Sequence, residues 1–145
     1  MELVLQSFHK LAGGSAISPN AIVRADGAFE IGLGLLLVVG AAAGWLGGGD
    51  LPTPVGTTVI IVVGVALIAL GGVLWRLAAR PVAPQLLRNL AVGNSVTAVA
   101  AIVWRIAAEG FSHAGSAILL ATAVALLALA AAQLSSLRAG RALRP

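Results

Sequence analysis

The chain has no cysteine and no tyrosine, one methionine, and only 4% aromatic and 10% charged residues. Without cysteine there is no disulfide, no thiolate nucleophile and no thiolate-held metal. The shortage of charge excludes more. A soluble domain carries about a quarter of its residues as charges to keep its surface hydrated, whereas 59% of these 145 side chains are hydrophobic and the mean hydropathy is +1.03. Lipid is therefore the expected solvent for most of the surface. Nine basic residues against five acidic ones leave a net charge of +4, but the basic residues stand singly or in pairs at the ends of apolar segments. That pattern marks membrane topology rather than a phosphate-binding stripe, so no nucleic-acid partner is expected.

What is present is a succession of long apolar runs. Met1 to Leu11 is too polar for a secretory signal peptide; Val4, Leu5, Phe8 and Leu11 share one helical arc and Glu2, Gln6, His9 and Lys10 the other. This predicts an amphipathic helix over 1–14 lying in the membrane interface. Ser18-Pro19 then reads as a helix start, a hydroxyl cap followed by a proline whose missing N–H costs nothing there. From Ala28 to Leu46 the chain is apolar apart from Glu30 and Trp45, about 28 Å of helix against about 30 Å of bilayer hydrocarbon. Gly47-Gly48-Gly49-Asp50 and the prolines at 52 and 54 end that span. Further spans are predicted over 55–78, 86–108 and 113–137, separated by Pro81 and Pro84 and by a turn in which Ser112 can cap, and followed by a basic tail over 139–145. The predicted fold class is thus all-α, an integral membrane four-transmembrane-helix bundle over 15–138 with an N-terminal amphipathic interfacial helix.

Orientation follows from the basic residues. With a cytoplasmic N-terminus, Lys10, Arg24, Arg76, Arg80, Arg88, Arg138, Arg141 and Arg144 fall inside and only Arg105 outside, a strong positive-inside bias. Both termini are expected in the cytoplasm. The arginine-, alanine- and glycine-rich composition fits a bacterial plasma (inner) membrane.

Lipid gives apolar helices no hydrophobic reason to associate, so small residues and hydrogen bonds must hold them together. Gly40, Gly44 and Gly48 in the first span, Gly56, Gly64 and Gly72 in the second, and Ala117, Ala121 and Ala125 (with Ala128 and Ala132) in the fourth are the predicted packing ridges. They serve either contacts within the bundle or those of a homo-oligomer or larger membrane complex.

The polar residues within the spans gather, by topology, on the cytoplasmic side: Asp26, Glu30, Arg76, Arg80, Arg88, Asn89, Asn94 and Gln133. Polar groups at such depth face the bundle and find partners. Asp26 and Glu30, four residues apart and alike in charge, are expected to face Arg76, Arg80 or Arg88, with Asn94 as hydrogen-bonding glue. Alternatively Glu30 and Asn94 line a small cavity open to the cytoplasm, in which Glu30 exchanges a proton or binds a cation. Shifting the chain by 64 residues places Arg24 on Arg88 and Glu30 on Asn94, two matches that do not establish a repeat. His9 and His113 are not at mid-membrane, Arg105 and Glu109 form a surface pair, and Trp45, Trp75 and Trp104 sit near span ends as interfacial anchors. No catalytic constellation, cofactor motif or metal site emerges, so no enzymatic activity is expected.

The motifs SPNAIVRADGAFEIGLG and LRNLAVGNSVTAVA, which open the first and third spans, resemble in layout the small four-helix integral membrane proteins without assigned activity that are common in bacteria. A single glutamate in the first of four short spans is also similar to the small multidrug exporters, from which the chain departs in its length, its polar N-terminus, its fixed charge bias and its third span. The leading expectation is a structural or accessory membrane component acting through helix packing. The alternative is a small proton- or ion-coupled carrier or channel using Glu30 and Asn94.

Overall fold

A computed structural model describes residues 17–44, 56–107, 109 and 111–142. They form four helices: α1 (Pro19–Ala42), α2 (Thr57–Leu77), α3 (Pro84–Ala107) and α4 (His113–Ala142). The predicted interfacial helix over 1–14, the glycine loop with Gly48, Trp45, and residues 143–145 of the tail lie outside the described residues. Among the described residues three helices are long and apolar enough to cross a membrane: α2, α3, and α4 over His113–Ala139. α1 is not one of them. Its first half carries Arg24, Asp26 and Glu30, and it is uninterruptedly apolar only beyond Glu30.

The helix ends follow local chemistry. The Ser18 hydroxyl accepts the Ala21 N–H at 3.2 Å, with Pro19 in the first turn, as the Ser-Pro pair predicts. Ser112 does the same for α4, accepting from Gly115 at 3.0 Å. α1 ends at Ala42, and Gly44 just beyond it has φ +73°, the left-handed conformation that glycine adopts freely. α2 is closed from another element: the Asn20 side-chain amide donates to the carbonyls of Ala78 at 2.9 Å and Arg80 at 2.8 Å, ties that fix the start of α1 to the end of α2.

Two antiparallel hairpins, α1/α2 and α3/α4, make up the architecture, and α1 touches α4 more lightly. The first hairpin closes on two glycine pairs. A Cβ on Gly71 would stand 2.5 Å from the Gly27 carbonyl oxygen, and one on Gly34 2.5 Å from that of Gly64. Both pairs are seven residues apart on each helix, the repeat that keeps a seam on one face of two packed helices. Of the predicted ridges, Gly64 takes part in this seam, but the others differ from it. Gly44 and Gly72 have nothing within 4 Å of a Cβ position, and neither has Gly56, while Gly40 is buried. In α4 the inward stripe is Ala123, Leu126, Ala130 and Gln133, and Ala117 and Ala121 are exposed with Ala125 half-buried. The reason is Gln133: its amide cannot face lipid without loss, and turning it inward turns the Ala117–Ala121 ridge out.

The helices therefore follow one another round the bundle as α2, α1, α4 and α3, and the ring does not close. α2 and α3, although consecutive in sequence, do not pack along their lengths; Leu74 and Leu87 share an apolar cluster near the turn joining them, and beyond it the helices part. The end of the bundle holding Ser18, this turn and Arg138 is called the foot, and the opposite end, with Trp104 and Ser112, the head.

Candidate functional site

The site is built from α1 upward. Asp26 is 1% exposed, and its two carboxylate oxygens are taken by amides from the other hairpin: Asn94 Nδ2 on α3 donates to Oδ1 at 3.1 Å, and Gln133 Nε2 on α4 donates to Oδ2 at 3.0 Å. Asn94 Nδ2 also lies 3.4 Å from Gln133 Oε1, so the three side chains form a closed triangle. Gln133 is fully buried and Asn94 7% exposed. Amide N–H groups satisfy a buried carboxylate without a second charge to desolvate. This clasp joins three helices near the foot.

One turn further along α1 stands Glu30, 8% exposed. Its Oε2 is buried and has no hydrogen-bond partner among the described residues. Such a vacancy is rare, because a buried polar atom without a partner costs about 1–3 kcal/mol. Glu30 lies at the wall of a cavity of about 650 Å³ that reaches towards the head as far as Trp104 and Gly115. All four helices contribute to the wall, through Leu33 and Leu37, Val63 and Leu67, Ala100 and Leu119, among others. Thr97, Thr122 and the Trp104 indole are its other polar groups. The volume is within the range of about 300–1,000 Å³ typical of small-molecule sites.

The polar set predicted from sequence thus divides. Asp26, Asn94 and Gln133 come together, and Glu30 stands beside them facing the chamber. Arg76, Arg80 and Arg88 do not join: all three are exposed, since a long guanidinium stem reaches water at the foot more cheaply than it enters the bundle. Amides hold Asp26 in place of the predicted arginine. Asn89 is likewise exposed and accepts a hydrogen bond from Gln85 at 2.9 Å. Asn94, predicted to line a cavity with Glu30, is occupied in the clasp instead. At the head the Arg105 guanidinium lies over the Phe111 ring, 5.6 Å from its centroid, and Trp104 meets the same ring edge-on at 5.2 Å; Glu109 and His113 are exposed.

Sequence reasoning placed a cavity at Glu30 but put Asn94 in its wall and its mouth at the cytoplasm, and it missed the chamber's extent towards the head and the role of Gly27, Gly34 and Gly71. The glycines carry a readable signal, pairs seven residues apart in two adjacent segments, which a search for four- and eight-residue spacings passes over. The chamber's extent carries none, because it is a property of where helices fail to touch. Comparison of the chain with protein-family models, curated proteins and solved structures returns no match.

Proposed function

We propose that the chain is a small multi-pass protein of a bacterial inner membrane, crossing it four times with both termini cytoplasmic, and that it acts as a proton- or ion-coupled carrier through Glu30. Residues 1–14 would lie in the interface beside it and the basic residues at the foot would hold the cytoplasmic side. The observation that carries the reading is the buried, unpartnered Glu30 Oε2 at the wall of an apolar chamber. A carboxyl whose only task is to hold helices together has a partner, as Asp26 has. One left without a partner beside space large enough for a ligand is suited to take up a proton or a cation and release it. Asn94 takes a supporting part here, fixing Asp26 below the chamber.

The test is flux. In proteoliposomes under an imposed pH gradient, the wild-type chain should dissipate the gradient faster than empty vesicles, and Glu30→Gln should remove the difference while leaving helicity and monodispersity intact. Glu30→Gln flux equal to wild type would sink the carrier reading. A second reading, a structural or accessory component, is favoured by the glycine seam and by an outer surface rich in exposed apolar residues such as Val62, Val96 and Val124. On that reading Glu30→Gln would instead lower the melting temperature or release a homo-oligomer or a larger membrane complex.

A further inference from the structure

Among the described residues two buried side-chain atoms have no hydrogen-bond partner: Glu30 Oε2, an acceptor, and Arg105 Nε, a donor. Arg105 is at the head and does not line the chamber. It belongs to the last turn of α3 and is half-buried. Its guanidinium lies over the Phe111 ring, 5.6 Å from the centroid, and Trp104 braces that ring edge-on, 5.2 Å away at 71°. A ring attracts the charge but does not replace a hydrogen-bond acceptor, and guanidinium N–H groups point outward in their own plane. Glu109, expected as the partner, is exposed and does not accept from Nε. The arginines of the foot differ. Arg24, Arg76, Arg80, Arg88 and Arg138 are all exposed, where water can satisfy them.

We propose that Arg105 is the headgroup-binding point of a lipid site at the head: the phosphodiester of an anionic phospholipid accepts from the Nε–H edge of the guanidinium, and its acyl chains run down the outer flank of α3. The site depends on neither Glu30 nor the chamber. Depth is the first argument. α3 has 24 residues, about 36 Å at 1.5 Å per residue against about 30 Å of hydrocarbon, so its last turn reaches the layer where phosphates lie. The donor selects the ligand, because Nε–H and the neighbouring terminal N–H form an edge that matches two oxygens of one phosphate. Nε is covered in the structure, but the guanidinium can slide outward on the Phe111 ring without breaking a hydrogen bond at Nε, which makes none. A phosphate arriving there gains a charge-assisted bond.

The flank favours a lipid over a soluble phosphate. Val99, Val103 and Ile106 share one strip of α3 at and below the level of Arg105 and are 55%, 56% and 80% exposed, an apolar bed for acyl chains. An anionic lipid is favoured over a zwitterionic one because the phosphate of the latter already faces an ammonium of its own.

The experiment places the full chain, with nitrogen-15 in its arginine side chains, in phosphatidylcholine nanodiscs and replaces that lipid stepwise by phosphatidylglycerol. The Arg105 Nε–H resonance, identified by its loss in Arg105→Lys, should move downfield and saturate, with a midpoint at an anionic fraction about fivefold lower than that of the foot arginines. Glu109→Gln removes a nearby negative charge and should lower the midpoint further; Glu109 is exposed and outside every helix, so this variant leaves the fold intact. Phe111→Leu removes the ring that holds the guanidinium and should raise the midpoint. In Arg105→Lys, which keeps the charge but not the paired edge, the Trp104 indole N–H should lose the saturating response it shows in the wild type. An Arg105 resonance that does not move, that moves only in step with the foot arginines, or whose midpoint is unchanged by both Glu109→Gln and Phe111→Leu overturns the proposal. So does the same shift produced by inorganic phosphate in pure phosphatidylcholine discs, which would make the site one for a soluble phosphate.

Discussion

The two hairpins meet along two seams, and the seams are opposites. On the α1/α4 side, Gln133 of α4 donates to Asp26 of α1 and Phe29 packs on Ala98, Ala101, Ala123 and Leu126. On the α2/α3 side the helices part. The difference is instructive because the hairpins repeat one burial pattern. Val23, Gly27, Glu30 and Gly34 of α1 are buried, and so are Leu87, Ala91, Asn94 and Ala98, each 64 positions on in α3. Gly64, Gly71 and Leu74 of α2 correspond in the same way to Ala123, Ala130 and Gln133 of α4, all buried, at an offset of 59. Two like hairpins facing each other would make two like seams. Exchanging equivalent positions turns the Asn94–Asp26 contact into Glu30 against Leu90, the Gln133–Asp26 contact into Leu74 against Leu90, and the Phe29 position into Gly93. Leu90 and Leu74 belong to one apolar cluster at the foot, and Gly93 faces open space. Where one seam has an acid, two amides and a phenyl ring, the other has leucines and a glycine. The position equivalent to Asp26, which by this correspondence would face Glu30, is Leu90, and it carries no donor.

Breaking the closed seam should have the largest effect. Asp26→Leu removes the acceptor of two buried amides, and a loss of about 2–4 kcal/mol is expected from denaturant unfolding in micelles; a loss below that of an exposed-site control such as Val96→Ala would mean that the clasp does not hold the hairpins together. Next comes the contact within a hairpin. Gly71→Val drives a side chain into the Gly27 carbonyl and the Ile31 backbone, which should cost about 1–3 kcal/mol, while the neighbouring Gly72→Ala, with nothing within 4 Å, should be neutral or gain up to about 1 kcal/mol from helix propensity. Equal melting temperatures for the two variants would contradict the glycine seam.

Making the seams alike gives a smaller effect of opposite sign. Gly93→Phe supplies the open side with the ring that Phe29 gives the closed one, and a stabilisation of about 1 kcal/mol is expected from added helix propensity and apolar burial; thermal unfolding would show it, and a lowered midpoint would count against the equivalence of the two positions. Smallest of all is Glu30→Leu. Replacing an acid that has no partner by an apolar side chain of similar size should leave stability within about 0.5 kcal/mol or raise it slightly. If this variant melted as low as Asp26→Leu, Glu30 would be structural after all.

Much of the candidate site was legible from depth alone. Asp26, Asn94 and Gln133 are polar side chains inside apolar segments, and each has to find a partner there. The identity of the partners was not, because charge pairing suggests an arginine while the long arginine stem lets its head stay at the foot in water. Glu30 shows the same limit from the other side. Its sequence position marks it as costly, but only the neighbours determine whether that cost is met, and those neighbours come from three other segments.

Local matters set how many helices form among the described residues and, within two residues, where they begin: the apolar runs, Ser18 and Ser112 as caps, Pro81 and Pro84 as breaks; the ends are less local, for α1 stops at Ala42 short of the expected Leu46 and α4 runs on to Ala142 past the expected 137. The tertiary structure decided how each helix is turned about its axis. A segment apolar on every side has no wet face to distinguish from its buried one, so neither Gly71 over Gly72 nor Ala123 over Ala121 can be chosen from one helix alone. The choice is made where two backbones approach through facing glycines and where one acid meets two amides, and both conditions need the other hairpin in place.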